Sequence, residues 1–101
     1  MTNETLETIK SRRSCRAYKP EQITDEELNA VLEAGTYAAS AMGRQSAKIV
    51  VVQNAATRAQ LTRMNAAVMG KDTDPMYGAP TILVVLADAD SKNAVQDGSL
   101  V

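Results

Sequence analysis

The chain has 101 residues, 11 Lys plus Arg, 12 Asp plus Glu and a formal net charge of −1. Hydrophobic residues make up 45% and charged residues 23%, the balance of one folded domain and not of a disordered chain. Histidine is absent, which excludes Ser–His and Cys–His catalytic pairs and His-ligated metal sites.

Leu6 and Ile9 recur at helical spacing behind Asn3, a capping residue type, and predict a helix from Asn3 to about Ser11. Pro20 interrupts the next stretch, so Arg12 to Gln22 is expected as a loop or short extended segment. Thr24-Asp25-Glu26-Glu27 has the capping-box pattern. Behind it, Leu28, Val31, Leu32, Gly35 and Ala38–Ala39 mark one face of a helix expected from Asp25 to about Ala38. Ser40 to Ser46 is small, polar and without periodicity, a loop. Lys48 to Gln53 is rich in β-branched residues and predicts a buried strand.

Asn54 is placed to cap a helix running to about Met69, with Leu61, Met64 and Val68 on its inner face. Gly70 to Pro80 holds two Gly, two Pro and two Asp and is expected as a loop. Thr81 to Leu86 predicts a second buried strand, ending near Asp88. From Asp90 onward the chain is polar. Two strands are too little sheet to bury three helices alone, so the pattern expects a dimer or part of a larger domain.

Cys15 is the one cysteine, so no internal disulfide can form. The N-terminus lacks the basic-then-apolar layout of a signal peptide. The longest apolar run, Ile82 to Ala87, is too short to span a bilayer. A cytoplasmic setting without membrane contact is expected.

Lys10, Arg12, Arg13, Arg16 and Lys19 place five of the 11 basic residues in one ten-residue stretch without an acid. Acids stand beyond it at Glu21, Asp25, Glu26 and Glu27, which argues for a focused anion pocket and against a nucleic-acid surface. Arg12-Arg13-Ser14-Cys15-Arg16 suits phosphate recognition, because guanidinium forks bind phosphate oxygens bidentately. A solvated basic loop is the alternative that the charge pattern leaves open. Cys15 has cationic neighbours but no base to make it a nucleophile.

The Ser40 hydroxyl and Gln45 amide suit a planar polar ligand, against the alternative of a plain helix-to-strand connection. Asp72, Asp74, Asp88 and Asp90 lack the Gly and distal Glu of a calcium loop, and no metal site is expected. Neither a G-x-G-x-x-G nor a Walker A motif occurs. Met42, Met64, Met69 and Met76 are expected as core or lining residues, and Tyr37 and Tyr77 as packing residues with a hydrogen-bonded tip, Tyr77 standing in a loop that a ligand can reach.

Taken in order, four segments resemble the N-terminal half of the nitroreductase family of flavin-dependent oxidoreductases. They are Ser11-Arg12-Arg13-Ser14-Cys15-Arg16-Ala17-Tyr18, Ala38-Ala39-Ser40-Ala41-Met42-Gly43-Arg44-Gln45, Tyr77-Gly78-Ala79-Pro80 and Asp97-Gly98-Ser99, the last opening a further helix. The resemblance covers essentially the whole chain. It implies an α+β fold, a nitroreductase-like three-layer α/β/α sandwich, of which residues 1–101 form an incomplete N-terminal portion with about three helices and two strands.

The implied function is electron transfer from NAD(P)H to a nitroaromatic, quinone or related small-molecule acceptor, by a ping-pong mechanism on FMN held at a homodimer interface. Arg12, Arg13, Ser14 and Arg16 match positions that bind the flavin phosphate and ribityl chain. Ser40, Met42 and Gly43 match the loop that the partner subunit lays against the flavin ring, and Gln45 the family's Gln in that loop. Asn65 matches a polar flavin contact on the following helix. No catalytic side chain is implied, since the flavin carries the redox step.

Ala39 stands where the family usually has Pro, Gly43 where Asn is common, and Ser46-Ala47 where Pro-Trp is frequent. A ring hydrogen bond at Gly43 is therefore lost or comes from its backbone. The alternatives are a flavin- or phosphate-binding fragment without turnover and a small helical interaction module.

Overall fold

The computed structural model describes residues 1–101. Helix α1 (Glu4–Ser11) starts where the Asn3 carboxamide oxygen accepts the Leu6 N–H at 2.9 Å. Helix α2 (Asp25–Thr36) starts on the expected capping box. Thr24 Oγ1 accepts the Glu27 N–H at 3.1 Å, and the Glu27 carboxylate accepts the Thr24 N–H at 3.4 Å. The helix stops at Thr36, two residues short of the expected end. There the Tyr37 and Ala38 N–H groups turn to the carbonyls of Ala34 and Gly35, both at 3.2 Å, tightening the last turn.

Thr24→Ala removes the hydroxyl that caps this helix and is expected to cost about 1 kcal/mol. In a domain of this size that lowers the melting temperature by about 4–8 °C, readable by circular dichroism.

Strands β1 (Lys48–Val52) and β2 (Ile82–Leu86) pair antiparallel, with Lys48 opposite Leu86 and Val52 opposite Ile82. Directly opposed residues share a face. One face therefore carries Val50, Val52, Ile82 and Val84, and the other Ile49, Val51, Leu83 and Val85. A sheet apolar on both sides needs a layer on each. Helix α2 supplies one: a Cβ on Gly35 would lie 3.0 Å from Ile49 Cδ1, so the bare glycine sets how near the helix approaches. Helix α3 (Ala55–Met69) lies against the other face, where Arg58, Ala59 and Thr62 share a cavity with Ile82.

The inner side of α3 differs from expectation. Arg58, Leu61, Thr62 and Ala66 are half-buried, whereas Met64 (57% exposed) and Val68 (89%) face outward. Arg58 explains the rotation: its guanidinium donates to the carbonyls of Gln53 at 3.1 Å and Ala79 at 3.3 Å, locking that side of the helix onto the sheet's end. Thr62 and Ala66 are small enough to follow it inward. The helix ends on Gly70 in the left-handed region (φ 67°).

Helix α4 (Ala94–Leu100) begins three residues before Asp97, so the structure holds four α-helices and a single 3₁₀ turn at Ala41–Gly43. With helices on both faces of the sheet, this is part of an α/β/α sandwich. A side-chain relay ties the segment after Pro20 to the sheet. Gln22 donates to the Pro80 carbonyl at 2.8 Å, the Thr81 hydroxyl donates to Gln22, and Gln53 donates to Thr81 at 3.1 Å. No helix is long and apolar enough to cross a membrane.

Both strands were expected to be buried, yet Ile82 is the only buried apolar residue, at 8% exposure. Met42, Met64, Met69 and Tyr37 are exposed, against the expectation of core or packing roles, and Tyr77 is exposed in its loop. The accessible surface is 8093 Å², about 2,500 Å² above that of a compact monomer of 10.8 kDa. The radius of gyration, 15.7 Å, likewise exceeds the roughly 13 Å of a compact chain. The layers are in place, but their outer apolar faces are uncovered.

Candidate functional site

The segment Ser40–Gln45 connects α2 to β1 and departs furthest from ordinary backbone geometry. Met42 (φ 56°), Gly43 (φ 65°) and Gln45 (φ 49°) all lie in the left-handed region. For Met42 and Gln45 this costs on the order of 1–2 kcal/mol each, so the surroundings must hold them there. Three anchors do. Ser40 Oγ accepts the Gln45 N–H at 2.9 Å, and Gln45 Nε2 donates to the Thr36 carbonyl at the end of α2 at 3.1 Å. Asp97 Oδ1, reaching from α4, accepts the Ala41 N–H at 3.0 Å.

Held this way, the loop pushes Met42 into solvent, 86% exposed. Gly43 is bare, with no atom within 4 Å of where a Cβ would stand. Ser40, Gln45 and Asp97 meet in a cavity of about 380 Å³, closed by Leu32, Gly35 and Ile49. Asp97, 4% exposed, is the most buried residue of the chain.

Arg12, Arg13, Ser14 and Arg16 form an exposed irregular segment after α1. Arg13 is partly committed to local structure: its guanidinium donates to the carbonyls of Lys10 at 3.0 Å and Arg12 at 2.8 Å, satisfying the end of α1. Cys15 Sγ donates to the Ala17 carbonyl at 3.0 Å, and Tyr18 Oη to that of Cys15 at 3.0 Å, shaping the turn. Ser14, Cys15 and Arg16 border a second cavity with Met76, Tyr77 and Ile82.

The loop carrying Met76 and Tyr77 is organised by Asp74. Its Oδ1 accepts the Met76 N–H at 2.9 Å and its Oδ2 the Gly78 N–H at 2.7 Å. These turn Tyr77 (φ 53°) and Gly78 (φ 69°) into left-handed conformations. The Met76 N–H is the largest influence holding the Asp74 carboxyl below 3.8. Desolvation opposes it, and the Gly78 N–H, the Thr62 hydroxyl and the Tyr77 N–H reinforce it.

A carboxyl lowered in the folded state stabilises fully above its unfolded pKa and loses that contribution as pH falls through the lowered one. The Met76 and Gly78 amide shifts are therefore expected to titrate together, with a midpoint below the ordinary aspartate range. Asp74→Asn abolishes that titration. A midpoint that is not lowered would show that the carboxylate does not hold the turn.

Ser14 and Arg16 border one cavity and Ser40 and Gln45 another, while Arg12, Arg13, Met42 and Gly43 line neither. Asn65 joins neither; its Nδ2 donates to the Leu61 carbonyl of its own helix at 2.9 Å. Asp97 was not among the expected site residues. Its signal is the spacing of Ala94, Asp97 and Gly98, which puts an acid among small residues on the inward stripe of a helix.

The arginine segment offers guanidinium and hydroxyl donors, and the Ser40–Gln45 loop a bare glycine and an exposed thioether. Comparison with known proteins bears on this chemistry. No curated protein matches the chain. A nitroreductase with bound FMN from Bacteroides fragilis is 35% identical, with a TM-score of 0.85 over 98% of this chain and 60% of that one. A nitroreductase with bound FMN from Desulfitobacterium hafniense is 32% identical, with a TM-score of 0.85 over 99% and 61%. An FMN-dependent nitroreductase from Clostridium difficile is 32% identical, with a TM-score of 0.82 over 97% and 51%. The chain thus spans between half and three-fifths of the length of these structures. The model of the nitroreductase family matches residues 9–99, and the chain belongs to that family.

Proposed function

We propose that this chain binds FMN and forms the flavin-binding part of an FMN-dependent NAD(P)H oxidoreductase. The observation that carries the reading is the 0.85 TM-score at 35% identity to a nitroreductase with bound FMN, over 98% of this chain. Arg12 and Arg16 supply paired guanidinium donors for the phosphate, with the Ser14 hydroxyl beside them. The Ser40–Gln45 loop supplies a rigid wall for the ring, on which the bare Gly43 permits close approach and Met42 gives a polarizable contact.

The bound flavin would carry the electron pair from NAD(P)H to a nitroaromatic, quinone or related acceptor. This chain's own part is to bind, orient and shield it. The separation of the two groups into different cavities supports a homodimer in which the loop of one subunit meets the flavin held by the other. The uncovered apolar surface supports it too, because obligate dimers bury 2,000 Å² or more, by rough class, in such interfaces.

The visible absorbance spectrum of the purified protein, taken with its intact mass, tests the reading. A flavin band, or stoichiometric FMN uptake with NAD(P)H oxidation in the presence of a nitroaromatic, is the expected result. Uptake without oxidation restricts the function to flavin binding, the reading the comparisons support most directly. A melting temperature unchanged in saturating FMN overturns flavin binding, because a ligand of the native state must raise it.

A further inference from the structure

We infer that Asp97 is a positioning residue for flavin, acting through the Ala41 N–H to hold the Ser40–Gln45 loop in its left-handed form. The inference rests on the FMN reading and adds to it a residue that never touches the ligand. Its carboxylate is 4% exposed and belongs to α4, yet its hydrogen bond runs 56 residues back to the first residue of the 3₁₀ turn. A carboxylate so far from water persists only where it is bonded. Here that bond fixes the residue immediately before Met42 and Gly43.

The geometry explains why an anchor is needed at this point. The far end of the loop is held twice, by Ser40 Oγ on the Gln45 N–H and by Gln45 Nε2 on the Thr36 carbonyl. The near end is held within the turn, where the Gly43 N–H donates to the Ser40 carbonyl at 3.1 Å and the Arg44 N–H to the Ala41 carbonyl at 3.3 Å, but only Asp97 ties it to a distant element. Without an acceptor at Ala41, Met42, whose sulfur otherwise takes only a 3.6 Å contact from the Arg44 guanidinium, is expected to relax out of φ 56°. Gly98 seats α4 close enough for the bond to form: a Cβ there would stand 3.4 Å from Ala87 Cβ. The other polar side chains on the cavity are engaged elsewhere: Thr36 Oγ1 with the Glu33 carbonyl, Ser40 Oγ with the Gln45 N–H and the Gln45 carboxamide with the Thr36 carbonyl.

Three variants of the chain test this with FMN as the probe. Asp97→Leu keeps the branched shape, with methyls for oxygens, and removes the acceptor; Asp97→Asn keeps an acceptor oxygen and removes the charge; Asp97→Ala removes both shape and acceptor. Asp97→Leu is expected to bind FMN at least about tenfold more weakly, with shifted flavin absorbance bands and faster hydrogen exchange at Ala41 and Gln45. Asp97→Asn is expected to bind within about threefold of the parent and to restore both signatures, a rescue that loss of fold stability alone would not give.

Asp97→Leu binding FMN like the parent with the same spectrum overturns the inference. So does a folded Asp97→Asn that binds as weakly as Asp97→Ala, because charge and not hydrogen bonding would then be the requirement. The exchange measurement needs no flavin, so it separates two failures. Faster exchange in Asp97→Leu with a parent chain that takes up no FMN sustains the loop anchor and overturns the flavin reading. Unchanged exchange overturns the anchor itself.

Discussion

Arg12→Ala is expected to weaken FMN binding about tenfold to a hundredfold, the effect of losing one charge-assisted, forked contact to a phosphate. The effect should shrink as salt rises, because the segment is exposed and its field is screened. Arg12→Lys restores the charge but not the fork and is expected to fall between the two. Arg13→Ala should behave differently. Its guanidinium already serves the carbonyls of Lys10 and Arg12, so its loss frays α1 and lowers stability more than it lowers affinity. Fluorescence titration of FMN beside thermal denaturation separates the two residues. Unaltered affinity in Arg12→Ala removes that residue from the site.

This division of labour between adjacent arginines was not readable in the sequence, where Arg12 and Arg13 are equivalent members of a basic run. What was readable is what local chemistry decides. The Thr24–Glu27 box announces itself because cap and acid lie three residues apart, and both partners are in view at once. The two strands announce themselves through consecutive β-branched residues, whose periodicity needs no partner to be seen. The helix starts at Asn3, Thr24 and Asn54 were likewise legible, because each side chain closes on a backbone amide one turn ahead.

Non-local decisions were hidden. Leu61, Met64 and Val68 form a sound apolar stripe, but the helix turned Arg58, Thr62 and Ala66 inward. The Arg58 donors found carbonyls at Gln53 and Ala79, and only the fold brings those within reach. The Ser40–Gln45 loop was placed correctly as a loop, while the left-handed turns within it were not anticipated. They depend on Asp97, whose partner lies 56 residues away. The strands were expected to be buried for a related reason: a two-sided apolar pattern states what each face requires, and the requirement is met only in part within residues 1–101.

That partial burial sets the second large effect. Ile82→Ala is expected to bring the flavin-free chain close to its unfolding threshold, because Ile82 is its only buried apolar side chain, at 8% exposure. Truncating a buried isoleucine costs about 2–5 kcal/mol. A domain of this length commonly has only about 5–15 kcal/mol in total, and a chain this open sits at the bottom of that range. Val85→Ala, on the opposite sheet face and 38% exposed, removes a side chain already in part solvated and should cost under about 1 kcal/mol. Urea unfolding followed by circular dichroism compares them, and equal midpoints would place the core elsewhere than Ile82.

Ile82 also borders the cavity shared by Ser14, Arg16 and Tyr77, so the defect should be correctable by ligand. FMN at a hundred times its Kd adds about 2.7 kcal/mol to the native state, comparable with the loss. Ile82→Ala should therefore have a low urea midpoint without FMN and regain much of the parent's midpoint with it. That behaviour requires the sheet's one buried contact and the flavin site to belong to a single cooperative unit.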